Sequence, residues 1–226
     1  MRCIKNNSVF IGLSLILILV LGLGLLYIPK GELHLLLCDR HTDSRDLFYR
    51  YYTHIAEWVP YVLCVLILLF GRIGDGVMAT ASMIFSALTT QAIKHIVRAP
   101  RPLSWFAEHM PDSTLPLTPE VKMNLWLSFP SGHTTSFFAL ALVISILLTR
   151  SPRSSRCPRM TSWLIQTTLF ALAALGGYSR IYLSQHFAAD VLAGTLIGIL
   201  STVVCYAVFQ RFEDQKWYNY RVFSKK

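Results

Sequence analysis

The chain has 226 residues, 54% of them hydrophobic and 15% charged, with a mean hydropathy of +0.47. That is too apolar for an ordinary soluble domain and too short for several domains, so residues 1–226 read as a single membrane domain. The formal net charge is +9, but the 21 Lys+Arg lie between apolar runs instead of forming a patch. This argues against a nucleic-acid partner and for contact with anionic headgroups or a role as topology signals.

Six apolar runs follow in chain order, at residues 8–28, 54–70, 77–97, 134–149, 162–178 and 191–209. About 20 helical residues cross the hydrocarbon core, and somewhat fewer suffice where flanking residues snorkel. The predicted fold is therefore all-α, an integral membrane bundle of six transmembrane helices. Arg2 and Lys5 before the first run also suit a secretory signal. The run is longer than a signal's apolar core and no A-x-A site follows it, so an uncleaved helix is expected.

On the side holding both termini there are 12 Lys+Arg, against nine on the other side, where the loops are longer and carry most of the acidic residues. By the positive-inside tendency the termini and the Arg150, Arg153, Arg156, Arg159 loop are cytoplasmic. The long loops then face the periplasm, exterior or a lumen. Of the five cysteines (Cys3, Cys38, Cys64, Cys157, Cys205), only Cys38 falls on that side, and none shows metal-ligand spacing. No intramolecular disulfide is expected.

The first outward loop, 29–53, has no readable motif and suits an interfacial segment. At the outer end of the third run stands Lys94-His95-Ile96-Val97-Arg98-Ala99-Pro100-Arg101-Pro102. Its prolines end the helix and hold Lys94 and Arg101 near one membrane depth. Alone, this could be a snorkelling basic fringe.

The next loop ends Phe129-Pro130-Ser131-Gly132-His133 and opens the fourth run, so Ser131 to His133 sit at a helix N-terminus. Free backbone amides and the helix dipole make that an anion site, and glycine lets an oxyanion approach. The bland alternative is a Ser131 cap with His133 as an interface residue.

After the fifth run comes Ser179-Arg180, then His186 and Asp190 four apart. On a helix the last two share a face, so the carboxylate can fix the imidazole tautomer. A lone His/Asp pair also serves as polar glue between helices, but ionisable groups at bilayer depth usually mark function.

These three strings, within residues 94–190, resemble the type 2 phosphatidic acid phosphatase (PAP2) superfamily in residue type, order and internal spacing. The resemblance implies His186 as the nucleophile that attacks phosphorus to give a phosphohistidine, and Asp190 as its orienting partner. It implies His133 as the general acid for the leaving alkoxide and then the base for water. It makes Lys94, Arg101, Ser131, Gly132 and Arg180 the phosphate-binding set, at the extracytoplasmic helix ends. No metal, cofactor or obligatory protein partner is implied.

The implied substrate is a lipid phosphate. The compact length resembles that of bacterial members, favouring an envelope lipid in the inner membrane: lipid A or undecaprenyl pyrophosphate first, phosphatidylglycerol phosphate or phosphatidic acid next. The aromatic, proline-rich loop 103–129 is expected to shape that choice. A phosphotransferase using the same histidines, a transporter, and a non-catalytic interaction protein are the alternatives. A transporter more often shows internal repeats, and none is convincing here.

Overall fold

A computed structural model of the chain describes residues 6–38, 41–150 and 159–223. Its helices are α1 (Ser8–Tyr27), α2 (Lys30–Cys38), α3 (Asp43–Tyr52), α4 (Ile55–Phe70), α5 (Ile73–Val97), α6 (Pro102–His109), α7 (Gly132–Arg150), α8 (Arg159–Tyr182), α9 (Ala188–Phe209) and α10 (Lys216–Asn219). Among the described residues the only β pairing is an isolated bridge between Pro100 and Trp126. Six helical stretches among the described residues are long and apolar enough to cross a membrane, with α3 and α4 together forming one of them. Of the residues used above for charge and cysteine counts, Arg2, Cys3, Lys5, Arg40, Arg153, Arg156, Cys157, Lys225 and Lys226 lie outside the described residues.

The helices overrun the apolar runs at their polar ends. The run at 162–178 becomes α8, Arg159–Tyr182, and the run at 134–149 becomes α7, Gly132–Arg150. The added residues include Gly132, which starts α7 at the helix N-terminus expected there, and Ser179-Arg180, which end α8 where the sequence placed them after the fifth span. Residues 29–53, unreadable in sequence, form α2 and α3. The loop expected at residues 71–76 is shorter, since α5 begins at Ile73.

Helix α7 is the most enclosed span, with Phe137, Phe138, Ala139, Leu142, Val143 and Ile146 buried. Close approach to α9 depends on glycine. A Cβ at Gly198 would stand 2.6 Å from the Thr135 carbonyl oxygen and 3.0 Å from the Ala139 amide. One turn earlier, a Cβ at Gly194 would stand 2.6 Å from the Ser131 carbonyl oxygen. Small residues four apart on α9 therefore let its backbone lie against α7 and bring its first turn beside Ser131.

Several polar groups inside the bundle are paired internally, as a bilayer demands. The Gln166 side chain accepts from the Val9 and Phe10 amides at 3.1 and 3.2 Å, covering two of the orphan donors at the start of α1. At the same end Arg72 donates to Asp75 at 2.7 Å, while Arg150 donates to the Tyr218 hydroxyl at 3.0 Å. Tyr218 in turn donates to Asp75 at 3.0 Å, tying α10 to α5 and α7.

Replacing Gly198 by Val forces α7 and α9 apart. Overpacking of this kind costs about 1–3 kcal/mol, so the unfolding midpoint in detergent should fall by several degrees. Gly12→Val, where no atom lies within 4 Å of the added Cβ, should leave it unchanged or raised. Equal effects of the two would contradict this packing.

Candidate functional site

Each string sits where a helix starts or stops. Helix α5 ends at Val97, Arg98 takes a left-handed conformation (φ 48°), and Arg101 caps the short α6, with Pro102 in its first turn. Lys94, buried in the last turn of α5, donates to the Leu127 carbonyl at 2.5 Å and contacts that of Ser128 at 3.5 Å. The first string is thereby fastened to the strip of backbone that leads into the second.

Ser131 precedes α7 and is fully buried. Its hydroxyl oxygen accepts from the Thr134 hydroxyl at 2.9 Å and the Thr134 amide at 3.4 Å. It is therefore a helix cap, yet its own proton remains to be donated. The Ser131 amide donates to the Asp190 carbonyl at 3.0 Å, joining the second string to the third. The first amides of α7, starting at Gly132, have no acceptor within their own helix.

The third string folds into a tight turn. The amides of Gln185 and His186 both donate to the Arg180 carbonyl, at 3.0 and 3.1 Å, and Ser184 is left-handed (φ 49°). His186 thus lies outside both helices, contrary to the expectation that it shares a helix face with Asp190. The two meet across the start of α9 instead, because the chain needs that turn to reverse between α8 and α9. The His186 Nδ1 to Asp190 Oδ2 distance is 3.3 Å.

An ionised carboxylate can only accept, so the proton sits on Nδ1 and the lone pair on Nε2. The same Asp190 oxygen accepts from the Ser128 hydroxyl at 2.5 Å and the Phe187 amide at 2.9 Å. Burial lowers the His186 imidazole to about 3, against the pull of Asp190 and with help from Arg101 and Arg180. His186 is neutral at physiological pH, with its lone pair free on Nε2.

Arg101 donates to the Gln185 side chain at 2.8 Å and the Trp126 carbonyl at 3.0 Å. Burial lowers its guanidinium from the usual value, and Asp190 opposes this. Arg180 is buried; one of its terminal nitrogens donates to the Thr53 hydroxyl at 2.6 Å, while its Nε has no partner among the described residues. An unmatched buried cationic donor fits an anion site. His133 Nε2 lies 3.2 Å from a Glu57 oxygen. His133, Arg180, Glu57, Thr53 and Gln185 line a cavity of about 380 Å³.

Glu57, Thr53, Ser128, Gln185 and His34 were not singled out in the sequence. Glu57 had a signal, being an acidic residue in an apolar run. Ser128 and Gln185 adjoin the strings, but their contacts appear only on folding. His34, fully buried on α2, lies 3.3 Å from the Ser184 hydroxyl, which itself donates to the Pro116 carbonyl at 2.8 Å. His34 is therefore the donor, bracing the turn that carries His186. Among the described residues no three His, Cys, Asp or Glu side chains gather as a metal-ligand set.

Six apolar spans, with a buried histidine–carboxylate pair and three cationic side chains gathered at one end, define a helical membrane protein. Residues 75–214 match the family model for the PAP2 superfamily, and the chain belongs to that superfamily. It is 34% identical over 100 residues to a Porphyromonas gingivalis lipid A 1-phosphatase, covering 44% of this chain and 20% of that protein. Over 171 residues it is 26% identical to Dictyostelium discoideum dolichyldiphosphatase 1, covering 76% of this chain and 68% of that protein. The crystal structure of Aquifex aeolicus LpxE matches with a TM-score of 0.59 and 26% identity, over 78% of this chain and 93% of that one.

Burial lowers the His34 imidazole to about 4, with Lys30 adding to the effect and Asp190 opposing it. The unfolded chain takes up this proton below about 6.5, whereas the folded one resists until about 4. Stability should therefore fall as pH drops from 6.5 to 4, by on the order of 3 kcal/mol from this group. Thermal unfolding of His34→Gln in detergent should lose that part of the pH dependence; an identical pH profile would contradict it.

Proposed function

We propose that the protein is a hydrolase that removes phosphate from a membrane lipid through a phosphohistidine on His186. The observation that carries this is the Nδ1–H of His186 directed to Asp190, which leaves a neutral Nε2 beside Arg101 and Arg180. Nε2 attacks phosphorus, a P–N bond forms and the P–O bond to the lipid breaks, with His133 giving its proton to the departing alkoxide. Water then attacks the phosphohistidine, His133 takes the water's proton, and His186 is released with inorganic phosphate.

Lys94, Arg101, Arg180, the Ser131 hydroxyl and the Gly132 amide would neutralise charge on the transferring oxygens, the main source of catalysis in such transfers. The favoured substrates are lipid A and undecaprenyl pyrophosphate, ahead of phosphatidylglycerol phosphate and phosphatidic acid. Relatives named for lipid A and for dolichyl diphosphate support a monoester or a diphosphate of a lipid. The basic asymmetry supports cytoplasmic termini and a site on the opposite face of the bacterial inner membrane.

Purified protein should release phosphate from this lipid panel, with His186→Ala as the blank. Orthovanadate should inhibit and EDTA should have little effect. Activity confined to water-soluble esters would sink the lipid assignment, and phosphate recovered on an alcohol would indicate a phosphotransferase. A reporter after Lys226 should read cytoplasm and one near Ser113 the opposite side; the reverse would overturn the orientation.

The histidines separate by leaving group. His133→Ala should slow the initial burst on a lipid phosphate by about 10²–10⁴-fold but much less on nitrophenyl phosphate, whose leaving group needs no proton. His186→Ala should fail on both. A burst from His186→Ala with none from His133→Ala would exchange the roles.

A further inference from the structure

Outside the three strings, one more carboxylate reaches the site. Glu57 stands in the first turn of α4, half-exposed at the wall of the cavity that His133 and Arg180 also line. One of its oxygens lies 3.2 Å from His133 Nε2 and the other 2.9 Å from His54 Nδ1. Since an ionised carboxylate has no proton to give, both histidine nitrogens must donate. Neutral His133 then carries its proton on Nε2 and its lone pair on Nδ1.

We propose that Glu57 is the positioning residue for His133, fixing its tautomer so that protons are exchanged through Nδ1. Resting on the phosphatase function proposed above, the site then has two histidine–carboxylate pairs of opposite sense. His186 gives its Nδ1–H to Asp190 and keeps Nε2 free; His133 gives its Nε2–H to Glu57 and keeps Nδ1 free. In the first step the His133 imidazolium gives its Nδ1 proton to the departing alkoxide and becomes this neutral tautomer; in the second a water proton returns to Nδ1 as the water oxygen bonds phosphorus and the P–N bond to His186 breaks. The imidazolium so formed lies beside the Glu57 charge, which stabilises it. His54, three residues before Glu57 on the same helical stretch, holds the carboxylate's second oxygen and so its orientation.

Glu57 touches no reacting atom in this scheme, so its loss should appear in kcat and not in KM. In full-length protein in bilayer discs, Glu57→Ala should lower kcat on a lipid phosphate by about 10–100-fold, a usual cost of removing a histidine's carboxylate partner, with KM little changed. Glu57→Gln, which keeps an accepting oxygen without the charge, should lose less. In a His133→Ala background, Glu57→Ala should have no further effect.

Nitrogen NMR of labelled histidine reads the tautomer without turnover. His133 should be protonated at Nε2 in the wild type and should shift toward Nδ1–H in Glu57→Ala. Losses that multiply in the double variant, an unchanged kcat, or a tautomer indifferent to Glu57 would each overturn the proposal. A wild type that releases no lipid phosphate yet shows the tautomer shift would instead overturn the phosphatase function while upholding the Glu57–His133 pairing.

Discussion

The structure depends on one buried carboxylate. Asp190 is almost entirely removed from solvent, and taking a charge out of water costs several kcal/mol unless donors replace the hydration. Three donors do so on a single oxygen: the His186 ring, the Ser128 hydroxyl and the Phe187 amide. The Asp190 backbone carbonyl also receives the Ser131 amide, so one residue joins the reversal between α8 and α9 to the start of α7. Without Asp190 the imidazole would lose its tautomer and the loops their common anchor.

Apolar packing makes that carboxylate effective. Glycines 194 and 198 let α9 press against α7, which sets the first turns of both helices side by side. His186, Arg180 and Asp190 are buried there, and weaker screening strengthens their charge–dipole contacts. Cations enter from three directions: Lys94 from the end of α5, Arg101 from the cap of α6 and Arg180 from the end of α8. Among the described residues Arg180 keeps one buried donor, Nε, unmatched.

Sequence alone made the six spans legible, because burial in lipid leaves long apolar runs with few charges. It also made the three strings legible, since their residue types fall at helix ends where polar groups need a reason. The His186 and Asp190 pair was legible as a pair but not in its geometry: a spacing of four suggested a helix face, whereas the contact closes across a turn. Glu57, Thr53 and His34 were invisible as partners because each meets its target from a distant part of the chain. Residues 29–53 gave no motif because α2 and α3 act by bracing. Asp46 accepts from the Tyr182 hydroxyl at 2.6 Å, and His34 supports Ser184, both beside the His186 turn.

The central claim is a covalent bond between phosphorus and His186 Nε2. Phosphohistidine survives alkali and breaks down in acid, so wild-type protein mixed briefly with a labelled lipid phosphate should be quenched in alkali, digested and mapped by mass spectrometry. The account predicts one phosphorylated peptide, containing His186, whose label is lost in acid and absent from His186→Ala. Stable label on His133, or lipid phosphate turned over with no histidine labelled under any quench, would contradict it.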